Sequence, residues 1–162
     1  KVLCAKYRKG HFEGVLDIMD RFLNMINAKY VFMGEKDYQQ LYLVKKFLKN
    51  KYKCKIISCP TIRNYNKLAL SSRNLLLNKK NLNIAELLAN YLIKFKTSFQ
   101  KRKKKIKYNL FDIKKDLESK FNIKIEYLEF RNLNNLRLAD FKKKYKLFIA
   151  YYIGGIRLID NF

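Results

Sequence analysis

The sequence predicts an α/β fold that continues into a smaller α+β piece. Three observations carry this. The first sixty residues alternate helix, strand, helix, strand, each with its own hydrophobic period. The second half places one long and one shorter amphipathic pattern ahead of β-prone runs that close on Gly154-Gly155. The composition is that of a packed chain: 162 residues, 49% apolar, with 12 Tyr, 12 Phe, 5 Gly and 1 Pro. It excludes collagen-like, linker-rich, low-complexity and disordered classes.

Taken in order, Gly14 to Ile26 puts Val15, Ile18, Met19, Phe22, Met25 and Ile26 at helical spacing, read as one buried stripe. Ala28 to Gly34 is β-prone and ends at a glycine. Asp37 to Asn50 is a second helix, with Leu41, Val44, Phe47 and Leu48 on its apolar side and Asp37 as a first-turn acid. Cys54 to Cys59 is a second strand, stopped by Pro60. A helix joining two strands predicts a βαβ unit with parallel pairing. Pro60 to Asn78 reads as a polar loop. Asn78 caps a long helix whose face is Leu87, Leu88, Tyr91, Leu92, Phe95 and Phe99. The basic run 101–105 interrupts that pattern as an exposed loop or helix end. Leu110, Ile113, Leu117 and Phe121 mark a further helix. Ile123–Phe130, Leu147–Ile153 and Ile156–Ile159 read as strands, the last two antiparallel across the glycine pair. The expected boundary falls near Asn78, giving an α/β piece over 1–77 and an α+β piece over 78–162. Two strands are too few for an independent α/β sheet, so more of that domain is expected before Lys1.

Lys and Arg number 37 against 13 Asp and Glu, a formal charge of +24. Charge of this size attracts nucleic acid or anionic surfaces. Yet Lys far outnumbers Arg, and Asn and Ile are abundant, the pattern of an AT-rich coding sequence. Specific phosphate and base contacts lean on Arg, and there are only 8 here. The alternative function, a basic nucleic-acid-binding module, rests on the charge, the 101–105 run and the tyrosines. The aromatics fall on apolar helix and strand faces, which argues against it and for no specific nucleic-acid partner. No apolar run approaches the about 20 residues that span a bilayer, and the opening residues carry no signal-peptide core, so a cytoplasmic protein without membrane contact is expected. Cys4, Cys54 and Cys59 with a single His11 lack the spacing of a zinc site, and no metal ligands are assigned.

Three clusters suit chemistry. Gly34-Glu35-Lys36-Asp37-Tyr38-Gln39-Gln40 sits at the carboxyl end of a strand and opens a helix, where α/β folds bind ligands. Lys36 and the helix N-terminus favour an anion such as phosphate, and Gln40 offers both a donor and an acceptor. Leu70-Ser71-Ser72-Arg73-Asn74 combines two hydroxyls with a guanidinium that can clamp phosphate oxygens. The two clusters follow neighbouring strands and are expected at one sheet edge. Arg8 and His11 bracket Gly10 ahead of the first helix as anion contacts.

Gly-His-Phe-Glu-Gly-Val (10–15), Gly-Glu-Lys-Asp-Tyr-Gln-Gln-Leu (34–41), Pro-Thr-Ile-Arg (60–63), Leu-Ala-Leu-Ser-Ser-Arg-Asn (68–74) and Arg-Leu-Ile-Asp-Asn (157–161) occur in this order. Together they resemble the motifs of the pantoate–β-alanine ligase family, from about Arg8 to the C-terminus. The resemblance implies the C-terminal part of a Rossmann-like nucleotidyltransferase domain followed by a smaller α+β domain, usually in a homodimer. It implies condensation of pantoate with β-alanine through a pantoyl adenylate, with ATP as substrate, Mg²⁺ on its phosphates, and AMP and pyrophosphate as products. Gly34, Glu35, Lys36 and Asp37 match one ATP-binding stretch, and Leu70, Ser71, Ser72 and Arg73 the other. Ile62 matches a backbone contact to adenine and Gln40 a pantoate contact. Lys36, Arg73, Ser71 and Ser72 are the groups expected to act on the reacting phosphates. The family's His-x-Gly-His signature is not in this chain, so the expectation is a fragment that is inactive alone. Lys9 replaces a family proline, and Asn66-Lys67 replace Asp-Gly. Asn tolerates positive φ better than Lys, so the turn is expected to shift by one residue onto Asn66.

Overall fold

A computed structural model describes residues 1–48, 50–101 and 109–162. Most of the basic run 101–105 therefore lies outside the described residues. The chain divides into two compact units, one of Lys1–Thr61 with Leu133–Leu136, the other of Ile62–Asn132 with Arg137–Phe162.

In the first unit a short helix α1 (Cys4–Tyr7) precedes α2 (His11–Met25), β1 (Tyr30–Gly34), α3 (Tyr38–Leu48) and β2 (Lys55–Cys59). β1 and β2 pair in parallel, with Tyr30 opposite Lys55 and Gly34 opposite Cys59. This is the expected βαβ unit. α2 and α3 cover one face of the pair, where Leu23, Val44, Leu48 and Cys54 are buried among Val31, Met33 and Ile56. The α2 stripe differs from the expected one. Phe12, Val15, Leu16, Met19 and Leu23 turn inward, whereas Ile18, Phe22 and Met25 are 53%, 53% and 81% exposed. The helix carries two apolar rows one residue apart, so they lie about 100° apart around the axis, and only one row can meet the sheet. Phe47 is likewise turned outward from α3. Asp20 of α2 accepts from Lys51 Nζ at 2.7 Å and Tyr52 Oη at 2.7 Å, tying α2 to the turn that precedes β2.

In the second unit, α4 (Lys79–Lys101) and α5 (Leu110–Phe121) lie on one face of an antiparallel sheet ordered β3 (Lys124–Asn132), β4 (Tyr145–Ile153), β5 (Ile156–Asn161). Asn78 caps α4 as expected, its Oδ1 accepting from Asn81 N at 2.8 Å. Asn109 caps α5, accepting from Phe111 N at 3.1 Å, and Asn122 ends it in the left-handed conformation at φ 48°. Ala85, Leu88, Ala89 and Leu92 face Leu128, Phe130, Leu147, Ile149 and Tyr151 across the core. Leu87, expected in that face, is 51% exposed, because α4 packs along the small side chains of Ala85 and Ala89. Gly154 and Gly155 take φ 55° and 77° in the β4–β5 turn, the positive values a two-residue hairpin of this type requires.

The compact units divide at Thr61, well before the expected boundary at residue 77. The stretch expected to belong upstream is bonded into the second unit. Arg63 pairs with Asp160 of β5, Asn64 bonds Glu86 of α4, and Leu68 sits in the second core. Conversely, Leu133–Leu136, between β3 and β4 in the chain, belongs to the first unit.

Candidate functional site

The residues singled out in the sequence fall into two segments, one in each unit. In the first unit, β1 ends at Gly34 and a single 3₁₀ turn, Glu35–Asp37, leads straight into α3. The segment thus lies where expected, at the carboxyl end of a strand of a parallel pair. Gly34 has φ −68°, a backbone any residue adopts. A Cβ there would meet no protein atom within 4 Å, so its absence leaves the space over the strand end open. The Lys36 ammonium is 3.9 Å from Asp37 Oδ2, with the lysine side chain 16% exposed and the aspartate 52%. Lys36 is therefore held near the strand end while Asp37 faces outward. Gln40 is half-buried. Gln39, its neighbour, is buried and donates Nε2 to the Val2 carbonyl at 2.8 Å, leaving Oε1 without a partner.

Tyr38 donates to the Leu133 carbonyl at 3.2 Å. Burial and the nearby Glu35 carboxylate push its phenol above the ordinary range. Beside it lies a cavity of about 390 Å³ lined by Glu35, Tyr42, Lys45, Ser58 and Asn134 among others. Neither Lys36 nor Gln40 lines it. Arg8 Nη1 lies 2.7 Å from His11 Nε2, within hydrogen-bond distance. The His11 ring packs on Phe12 at 4.8 Å between centroids. The two expected anion contacts are thus brought together.

In the second unit the chain from Ile62 to Leu70 is a tight hairpin. Leu70 N donates to Ile62 O at 2.9 Å, and Arg63 bridges Ala69. The turn does not move onto Asn66: Lys67 itself takes φ 69°. Two side chains of α4 hold the tip and outweigh that strain. Glu86 accepts from Asn64 Nδ2 and Asn66 Nδ2, each at 2.7 Å. Asn90 Nδ2 donates to the Asn66 carbonyl at 2.7 Å. Asn66 is thus occupied in its place, and the next residue must turn.

The hairpin delivers Leu70 and Ser71 to a 3₁₀ helix, Ser72–Leu76. Ser71 Oγ accepts from Arg73 N at 3.3 Å, capping that helix and keeping its own hydroxyl proton to donate. Asn74 Nδ2 holds the Ala69 carbonyl at 3.0 Å. Ser72 and Arg73 are exposed. Ile62 and Leu70, side by side at the open end, are 66% and 53% exposed. Paired apolar side chains beside exposed hydroxyls and a guanidinium are suited to an aromatic base with an attached phosphate.

The family model described as pantoate-beta-alanine ligase matches residues 1–162. The chain belongs to the pantoate–β-alanine ligase family. It is 37% identical over 166 residues to the pantothenate synthetase of Clostridium botulinum (strain ATCC 19397 / Type A), covering 99% of this chain and 58% of that protein. It is 39% identical over 161 residues to the bifunctional pantoate ligase/cytidylate kinase of Prochlorococcus marinus (strain AS9601), covering 98% of this chain and 31% of that one. Among solved structures, the Francisella tularensis pantoate-beta-alanine ligase complexed with beta-gamma ATP and beta-alanine superposes with a TM-score of 0.77 at 33% identity, over 99% of this chain and 53% of that one. Pantothenate synthetase from Thermus thermophilus shares the α/β fold, with a TM-score of 0.82 at 24% identity, over 99% of this chain and 59% of that one. The chain spans little more than half, at most, of the length of these relatives.

Within this ligase family chain, sequence reasoning assigns no role to Arg63, Asp160 or Glu86. Arg63 and Asp160 stand 97 residues apart, and no local period connects them. The sequence signal for that pair is that each falls inside a motif of the family.

Proposed function

We propose that this chain is the C-terminal side of an ATP-dependent pantoate–β-alanine ligase, acting in pantothenate biosynthesis. The observation that carries the reading is the family match along the whole of residues 1–162. The site chemistry supports it. Adenylation of the pantoate carboxylate builds negative charge on the α-phosphate and on the departing pyrophosphate. The amine of β-alanine then attacks the acyl adenylate and releases AMP. Lys36, held at the strand end, supplies a fixed positive charge of the kind that stabilises such a transition state. Arg73 offers a planar fork of donors to phosphate oxygens. The Ser71 and Ser72 hydroxyls donate to the same group, Ser71 with its lone pair already engaged by the Arg73 amide. Ile62 and Leu70 take the adenine, Gly34 leaves room for the nucleotide to approach, and Gln40 meets the pantoate hydroxyl and carboxylate. Glu35 and Asp37 complete the nucleotide segment, and Arg8 with His11 lies at the start of α2 as an anion contact.

Mg²⁺ travels with ATP. Among the described residues no group of three His, Cys, Asp or Glu could hold a metal alone. A Mg²⁺ carried by phosphates needs only one or two carboxylates, and the outward Asp37 fits that requirement. Bound there, the ion would neutralise charge on the phosphates.

The same reading takes the first unit as part of a Rossmann-like nucleotidyltransferase domain and the second as its smaller α+β partner. It takes the assembly as a cytoplasmic homodimer without nucleic-acid partners. No helix among the described residues is long and apolar enough to cross a membrane. The deciding experiment is pantoate-dependent ATP–pyrophosphate exchange. Exchange is expected in the full-length protein and not in the 162 residues alone. Lys36→Ala in the full-length protein should lower the rate by about two orders of magnitude, the scale of a lost preorganised charge. An unchanged rate of pyrophosphate release would remove Lys36 from the mechanism.

A further inference from the structure

We propose that Arg63 is a positioning residue for nucleotide binding, acting through the end of β5 on the hairpin that carries Ile62 and Leu70–Arg73. The inference rests on the ligase reading above for the identity of the ligand. Its structural basis lies wholly within the second unit.

Arg63 uses both terminal nitrogens twice. Nη1 donates to Asp160 Oδ2 at 2.8 Å and to the Lys67 carbonyl at 2.9 Å. Nη2 donates to Asp160 Oδ1 at 2.9 Å and to the Asn161 carbonyl at 3.0 Å. The guanidinium also stacks 4.8 Å from the Phe162 ring. All four N–H groups of the two terminal nitrogens are thus committed to protein acceptors, so Arg63 is not a phosphate clamp despite lying in a nucleotide-binding motif. Asp160 is only 6% exposed. Its Oδ1 also accepts from the Asn161 amide at 2.7 Å, so the carboxylate is itself locked in orientation.

The consequence is mechanical. Both terminal nitrogens of Arg63 are bonded to β5, and Nη1 also reaches across the hairpin to Lys67, so the guanidinium ties the base and the turn to one strand end. Ala69, paired to Arg63 in the hairpin, is held in turn by Asn74 of the following 3₁₀ helix. Any tilt of the guanidinium therefore moves Leu70 and the Ser71–Arg73 turn together. Lysine keeps the charge but has no planar fork, so it can hold Asp160 without also fixing Lys67 and Asn161.

The test compares Arg63→Lys with Arg157→Lys in the full-length protein. Arg157 and Glu126 form an ion pair on the same sheet with similar burial, 18% and 11% exposed, with Arg157 donating to both Glu126 oxygens. ATP affinity is read by equilibrium dialysis, folding by circular dichroism, and pantoate KM by the exchange assay. Arg63→Lys should weaken ATP about tenfold, the scale of one displaced charge-assisted hydrogen bond. It should leave the pantoate KM unchanged, and Arg157→Lys should leave both unchanged. Unaltered ATP affinity in folded Arg63→Lys, or an equal loss in the two variants, would overturn the proposal. If Arg63→Lys does not fold, Asp160→Glu is measured in the same way. Loss of folding in both would assign the pair to stability alone and would also overturn it. If the unaltered protein binds ATP but shows no exchange, the ligase reading fails, while the affinity comparison still decides the role of Arg63. If it binds no ATP, both fall.

Discussion

Lys67 stands at φ 69°, and replacing it with glycine should stabilise the protein. The left-handed conformation costs a non-glycine residue about 1–2 kcal/mol. Glycine gives back about 0.4–1 kcal/mol through the greater freedom of its unfolded chain. The interactions Lys67 makes in the hairpin are main-chain ones, its N–H to the Asn64 carbonyl and its carbonyl from Arg63, both 2.9 Å. Both survive the change, and the side chain is exposed. The net gain is therefore about 0.5–1 kcal/mol, or a rise in Tm of about 1–4 °C for a chain of this size. Asn66→Gly is the matched control. Asn66 is not in the positive-φ region, and its Nδ2 holds Glu86 at 2.7 Å, so this variant should lose about 1 kcal/mol. Thermal unfolding followed by circular dichroism ranks the two. Stabilisation by Asn66→Gly rather than Lys67→Gly would place the turn one residue earlier and refute the account of how α4 holds the hairpin.

Two further outcomes test the cores. Hydrogen bonds from Lys51 and Tyr52 hold the Asp20 carboxyl below its ordinary value. A depressed folded-state value contributes stability that is present above about pH 4, the unfolded value, and is lost as pH falls through the lower folded value. Asp20→Asn should therefore flatten the fall in urea midpoint between about pH 4 and pH 2, and equal slopes for the two proteins would count against the tie. Leu88 is fully buried while Leu87 is 51% exposed. Leu88→Ala should cost about 2–5 kcal/mol in denaturant unfolding and Leu87→Ala about 0.5 kcal/mol or less. Similar losses would mean that α4 packs on a different face.

Much of the fold was legible because its signals are local. The β1–α3–β2 alternation, the Asn78 cap, the α5 pattern and the Gly154-Gly155 turn each depend on a few consecutive residues whose backbone preferences agree. The motif at Gly34–Gln40 was legible for the same reason, since a strand ending in Gly and leading into a helix places its own polar residues. Where two local patterns competed, the sequence alone could not choose. α2 carries two apolar rows, and only contact with Val31, Met33 and Ile56 selects the Leu16–Met19–Leu23 row. Asn66 is the better left-handed residue by intrinsic preference, yet Glu86 and Asn90 hold it and pass the turn to Lys67.

By itself, the sequence determined the family and the order of the elements, and it marked the segments proposed above to meet the phosphates, because motifs and hydrophobic periods are written in adjacent positions. Tertiary structure alone decided where one unit ends and the next begins, and which charged residue of the hairpin is structural. Arg63 sits in one of the family's motifs and has the type of side chain that could bind phosphate. Asp160, distant in the chain, meets both of its terminal nitrogens in space, and a fork already bonded to a buried carboxylate is not available as a bidentate phosphate clamp.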